Sequence, residues 1–318
     1  MAAKPTHLEP SELGTKEYWD NLYTNELTNH AHDPADTGTN WFEDSDAQEK
    51  LIEFLAEFFQ VSEDSDDDDE GDEGEGKEKK SPEQKSETKT TTSFLDLGTG
   101  NGDMLFGLRD AGWTGPMLGV DYSERSVEFA RRIEDARRKG LTPRHTRDYD
   151  DDEQAQAQAQ KEEPEAQPAA EVAEEAIDFQ IHDILTPSQP LAAKSPHGGR
   201  GWDVVLDKGT FDAISLSSET DPATGRRVSE NYRARVLPLV REGGLFLVTS
   251  CNWTEDELDK WFAGEQQQEG QPDQAEQTEE RNWRFQQVGR VEYPSFSFGG
   301  VKGSTISSLC FRKMARAS

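Results

Sequence analysis

The chain has 318 residues, of which 32% are hydrophobic and 31% charged, and a formal net charge of −31. That charge weighs against binding to nucleic-acid phosphates or anionic membranes, and the low apolar content points to a folded core diluted by segments that cannot offset their own ordering entropy. Cys251 and Cys310 offer neither metal-ligand spacing nor a disulfide framework, no apolar run approaches the roughly 20 residues that span a bilayer, and MAAKPTHLEP at the N-terminus lacks the apolar core of a signal peptide.

A soluble cytoplasmic monomer, open also to the nucleus, is the simplest expectation, with no metal, no direct nucleic-acid binding and no membrane. Residues 1–15 are expected to be flexible, and 16–318 to form one domain interrupted at 62–92, 144–176 and 264–282. Those three stretches are polar, low in complexity and nearly free of large apolar residues, so each reads as a disordered, solvated loop insertion.

In chain order, YWDNLY (18–23) and NWFEDSD (40–46) come first, then the helical run AQEKLIEFLAEFF (47–59). Leu51, Ile52, Leu55, Phe58 and Phe59 make an apolar stripe at helical spacing, which predicts a helix packed on a sheet. The aromatic pairs Tyr18–Trp19 and Trp41–Phe42 precede a glycine-rich loop and are expected to fold over it as a lid. SFLDLG (93–98) reads as a strand, MLFGLRDAG (104–112) as a helix, and PMLGVDYS (116–123) as a second strand. Ser123 is placed to cap the next helix, which runs to about Lys139 with Val127, Ala130 and Ile133 on one side. IDFQIHDI (177–184), WDVVLDKG (202–209) and GLFLVTSC (244–251) supply strands three to five. RFQQVGRVEYP (284–294) and STISSLCFRK (304–313) can close the sheet. The alternation predicts an α/β fold: a doubly wound, Rossmann-like seven-stranded sheet, mostly parallel with one antiparallel strand.

The loop LDLGTGNG (95–102) sets Asp96 ahead of Gly98, Gly100 and Gly102. Glycines let the chain leave a strand sharply and bring bare backbone close to a ligand. A nicotinamide enzyme would need glycine where Asp103 stands, and a carboxylate there would repel a pyrophosphate. The pattern instead resembles the S-adenosylmethionine motif, whose ligand offers an amino acid end. Asp121 ends the second strand, where a carboxylate can accept both hydroxyls of a ribose. Tyr122 can lie against adenine, and Asp183, with Ile184 beside it, stands where this fold commonly faces the adenine amino group. A plain turn or capping role stays open for each of these acids.

Four further blocks sharpen the resemblance: YW…DTG…WFED (18–44), WDVVLDKGTFDAISL (202–216), TSCNWTEDEL (249–258) and YPSFSFGG (293–300). Together they resemble the lysine methyltransferases of translation elongation factor 1-alpha, a branch of the seven-β-strand class. The resemblance implies S-adenosylmethionine as cofactor and the elongation factor as protein partner. Glu43 departs from the family pattern, which commonly has glycine there.

Asp207 is then the first choice for a residue lining the methyl-transfer site, with Asn252 on the opposite wall. Trp19, Trp41, Phe42, Phe211 and Trp253 are candidates for an aromatic substrate channel. A cap on the following helix stays open for Asp207, and a place in the core stays open for Trp253. The string Asp-Lys-Gly-Thr replaces the Asn/Asp-Pro-Pro-aromatic string of enzymes that methylate base nitrogens. Another protein or a small molecule as acceptor, a non-catalytic scaffold and, more remotely, a nicotinamide oxidoreductase stay open as alternatives.

Overall fold

The computed structural model describes residues 7–60, 82–142, 176–186, 189–222, 224–264, 282–298 and 301–316. Most of the three expected insertions lies outside these residues. Two helices, α1 (Lys16–His32) and α2 (Ala47–Phe58), precede a third, α3 (Pro82–Thr91). The alternating part follows as β1 (Phe94–Leu97), α4 (Asp103–Asp110), β2 (Met117–Asp121), α5 (Glu124–Arg138) and β3 (Asp178–Ile181). Then come α6 (Gln189–Ala192), β4 (Trp202–Lys208), α7 (Thr210–Ser215), α8 (Tyr232–Val236), β5 (Val240–Ser250) and α9 (Glu255–Phe262). The chain closes with β6 (Trp283–Val291), a hairpin of β7 (Ser295–Phe298) and β8 (Val301–Ser304), and β9 (Ser307–Ala315).

Seven strands form one sheet in the order β3-β2-β1-β4-β5-β9-β6, with β7 and β8 paired separately. β9 runs antiparallel to both β5 and β6, and the β1–β5 pairings are all parallel. The strand order reverses between β1 and β4, so the crevice beyond their carboxyl ends is the place where such sheets bind ligands. Both central strands are buried along their length, with Asp96 in β1 and Asp203 and Asp207 in β4 set among apolar residues, because helices cover both faces. On one face Leu51, Ile52 and Leu55 of α2 join Met104, Val127, Phe129 and Ile133. On the other, Phe211, Tyr232, Trp253, Trp261 and Phe262 pack together. Each such side chain contributes roughly 1.5–3 kcal/mol when fully buried. Phe58 and Phe59 of the expected stripe are half-buried at the rim of the first cluster.

Two expectations need correction. Residues 82–91, read as the tail of a solvated loop, form α3. The helix has no apolar face, so its anchorage lies elsewhere: the Lys89 ammonium donates to the Ala111 carbonyl at 3.1 Å, and the Lys89 carbonyl accepts N–H bonds from Thr114 and Gly115. Residues 7–15, expected to be flexible, are docked, while 1–6 lie outside the described residues. Ser11 donates its N–H to the Leu216 carbonyl, Arg227 reaches the Leu8 carbonyl at 2.7 Å, and the Trp19 indole N–H bonds the Leu13 carbonyl at 2.8 Å.

Candidate active site

The turn out of β1 depends on bare backbone. Gly98 has φ of +62°, and a Cβ there would stand 2.0 Å from Thr210 Oγ1, which donates to the Leu97 carbonyl at 2.6 Å. Gly100 has φ of +58°, and its Cβ would meet the Tyr23 hydroxyl at 2.7 Å. This bend floors a pocket that opens beyond β1, β2 and β4. Gly102 is not part of its lining: it caps α4, and its missing Cβ makes room for Phe179 and Phe106. The third glycine therefore serves packing behind the loop.

Asp96 and Asp121 both line the pocket and are buried. Burial pushes the Asp96 carboxyl up to about 7, against the opposing pull of the Thr99 hydroxyl and the Lys208 charge. Burial also raises Asp121, while N–H groups of Ser123 and Gly100 hold it down at 2.9 and 3.2 Å. Those two N–H groups bond different carboxylate oxygens, so each oxygen keeps lone-pair capacity for a ligand hydroxyl. Tyr122 lies beside it with the Lys16 ammonium 5.6 Å from its ring centre. Asp183 and Ile184 line the far wall together with His182, whose imidazole is kept toward the neutral form by burial.

Aromatic residues roof the pocket. Of the four expected over the loop, Trp19 and Trp41 line the pocket and Tyr18 and Phe42 do not. Trp19 and Tyr23 of α1 and Trp41 all line it, and the Trp19 and Trp41 rings are 5.2 Å apart. Polar ties at four places hold this roof. Asp20 accepts from Ser123 Oγ at 2.6 Å, and the Thr37 carbonyl accepts from Asn101 at 3.0 Å. Lys208 Nζ donates to Asn40 Oδ1 and the Trp41 carbonyl, both at 2.9 Å. Within the roof, Thr39 donates through N–H and hydroxyl to buried Glu26.

Five other sequence candidates stand outside the lining. Asp207 is 1% exposed and accepts from the Tyr232 hydroxyl at 2.6 Å and the N–H groups of Thr210 and Phe211. It caps α7 from beneath, the alternative its position had left open. Phe211 is stacked between Tyr232 and Trp253 in the second core cluster, and Trp253 is buried with its indole N–H on Ser215 Oγ at 3.2 Å. Asn252 is not in the lining; its N–H bonds Ser250 Oγ, which in turn donates to Asp212 of α7, and Asp212 also accepts the Cys251 N–H, so the chain after β5 is held against α7. Phe42, at φ of +66°, lies over Gly209 rather than in the pocket wall.

Lys208 and Tyr23 line the pocket and were missed. The signal for Lys208 was present in the strand period. Val205 and Asp207 face the second core cluster, so Lys208 must share the other face with Leu206 and with Asp96 across the sheet.

Comparison with known proteins agrees with this geometry. A family model described as a methyltransferase domain matches residues 88–163. The chain is 33% identical over 310 residues to protein-lysine N-methyltransferase EFM4 of Saccharomyces cerevisiae, covering 96% of each chain. It is 31% identical to efm4 of Schizosaccharomyces pombe, over 96% of this chain and 95% of the relative. Against human EEF1A lysine methyltransferase 2 it is 28% identical, over 96% and 88%.

Proposed function

Because the chain belongs to the family of protein-lysine N-methyltransferases represented by EFM4 and EEF1A lysine methyltransferase 2, we propose that it transfers methyl groups from S-adenosylmethionine to a lysine side chain of translation elongation factor 1-alpha. The observation that carries this reading is the bare-backbone bend at Gly98–Gly100 beside Asp121, under a roof of Trp19, Tyr23 and Trp41. The donor set fits the methyl donor: carboxylates for an ammonium and a ribose, an aromatic ring for adenine, and no room demanded for phosphates.

When bound, S-adenosylmethionine supplies an electrophilic methyl on a sulfonium, so the protein needs no nucleophile of its own. Its task is to hold an uncharged lysine nitrogen in line with that methyl. An unperturbed lysine has pKa about 10.4, so presenting the neutral amine near pH 7.4 costs roughly 4 kcal/mol. The indoles of Trp19 and Trp41 exclude water from the mouth and disfavour the ammonium, which lowers that cost. Positioning supplies much of the remaining acceleration.

Incubation of the purified enzyme with labelled methyl donor and whole-cell extract tests the reading. One labelled band at the size of the elongation factor, lost when its lysines are blocked, is the expected result. Label in small molecules alone, or none, would overturn it.

A further inference from the structure

Two cations line the pocket among the described residues, Lys16 and Lys208. Lys16 is committed to the sugar end: its ammonium contacts both carboxylate oxygens of Asp20, at 2.9 and 2.7 Å, and stands over Tyr122. Lys208 is at the opposite end, where β4 leaves the sheet next to the glycine bend. Its Nζ donates to two neutral oxygens, Asn40 Oδ1 and the Trp41 carbonyl. An ammonium has three donors, and among the described residues no carboxylate comes within 4 Å of this one. Burial weakens its hold on the proton, while Asp103, Asp96 and Glu49 act on it from a distance to keep it charged. A partly buried cation with a spare N–H and only neutral partners is an anion site, since an unpaired charge taken from water is costly until an opposite charge meets it.

The acid nearest in the sheet register is Asp96, which acts on Lys208 through its charge and not through a contact. Both side chains project from the same face of the sheet, from the last turns of adjacent strands, and both line the pocket floor. One acid and one base side by side complement a zwitterion.

We propose that Lys208 is the counter-ion of the carboxylate at the amino acid end of the methyl donor, standing beside Asp96, the acid that the proposed function already turns toward the ammonium. This rests on the S-adenosylmethionine reading and assigns a binding role to a residue of the Asp-Lys-Gly-Thr string. The same Nζ holds Asn40 and the Trp41 backbone, so the bound carboxylate joins the network that fixes the indole in the roof.

The test compares S-adenosylhomocysteine with its decarboxylated analogue by calorimetry, in the wild type, Lys208→Met and Lys208→Gln. In the wild type, loss of the carboxylate is expected to weaken binding roughly 10- to 100-fold, the range for a hydrogen bond to a charged group. In both variants this discrimination falls to within about twofold, while the decarboxylated analogue binds as it does to the wild type, which also reports that the variant is folded. Lys208→Gln keeps a donor for the Trp41 carbonyl and removes only the charge, so it carries the test if Lys208→Met does not fold. Discrimination that persists in the variants, or parallel weakening of both ligands, would overturn the assignment. A wild-type protein that binds neither ligand would instead overturn the methyl-donor reading itself.

Discussion

Ser123 Oγ donates to Asp20 Oδ1 at 2.6 Å while the same oxygen accepts the Ser126 N–H. The residue that caps α5 thus also pins the helix that roofs the pocket. Burial raises the Asp20 carboxyl, but hydrogen bonds from Lys16 and Ser123 outweigh it and leave the group below its ordinary range.

That pin predicts a binding effect from a residue outside the pocket lining. Asp20→Ala is expected to weaken S-adenosylhomocysteine binding about 2- to 10-fold, the range for one hydrogen bond, with the α5 cap intact. Because the folded-state pKa is depressed, the stabilisation from Asp20 is complete above the unfolded carboxylate value and is lost as pH falls through the folded one. Melting curves of wild type and Asp20→Asn should therefore differ at pH 7 and draw together as pH falls below the ordinary carboxylate range; a constant gap would remove the ionic part of the pin.

Asp121→Ala should abolish cofactor uptake without unfolding the protein. Two ligand hydroxyls would lose a charged acceptor, which corresponds to at least ~100-fold in affinity. The N–H groups of Gly100 and Ser123 also lose their acceptor, so the melting temperature should drop by a few degrees. Calorimetry on the variant, with circular dichroism as the check on folding, decides the point; normal affinity would contradict the assignment of Asp121 to the sugar.

The raised carboxyl of Asp96 gives a pH signature. With its value at about 7, the free protein gains a full negative charge there only as pH rises through neutrality. A ligand ammonium favours the ionised form, so affinity for S-adenosylhomocysteine should increase between pH 6 and 8. The same titration on Asp96→Asn should be flat over that interval. A flat wild-type profile would separate Asp96 from the ligand.

Asp207→Asn separates structure from chemistry. Its carboxyl is buried under α7 among three donors, so the substitution should destabilise the fold by about 1–3 kcal/mol. Turnover per folded molecule should change less than threefold. A large fall in kcat at unchanged melting temperature would return Asp207 to the reaction centre.

The acidic stretch after α2 is expected to steer a basic protein substrate, since surface fields of opposite sign speed encounter and are screened by salt. The anchored α3 sets where a deletion must stop. Removing 62–80 and leaving Lys89 in place should reduce the salt dependence of kcat/KM at unchanged stability. An identical salt slope would leave the stretch without a part in encounter.

The sequence was most readable where local chemistry and tertiary role coincide. Ser123 is a cap by residue type and by position, and its bond to Ser126 follows. The bend at Gly98 and Gly100 needs positive φ, which side-chain-bearing residues rarely adopt, so its glycines were visible in the string itself. Asp207 misled because a carboxylate at a strand end suits both a ligand and a helix cap, and only the side of the sheet it faces distinguishes them. The register of β4 against β1, which also brings Lys208 beside Asp96, is a long-range property that no local pattern states. α3 was missed for the same reason: its stability comes from the turn at residues 111–115, not from an apolar stripe of its own.

β9 comes last in sequence but is seated between β5 and β6. A chain made from its N-terminus therefore lays down β6 before the neighbour that holds it. Until β9 is inserted, the outer flank of β5 carries unsatisfied backbone groups, and an open strand flank is a template for pairing with another molecule. Completion of the sheet is thus a zipper-like final event that joins distant parts of the chain, and substitutions in Leu309 or Phe311 should expose newly made protein to aggregation well before they alter any step at the pocket.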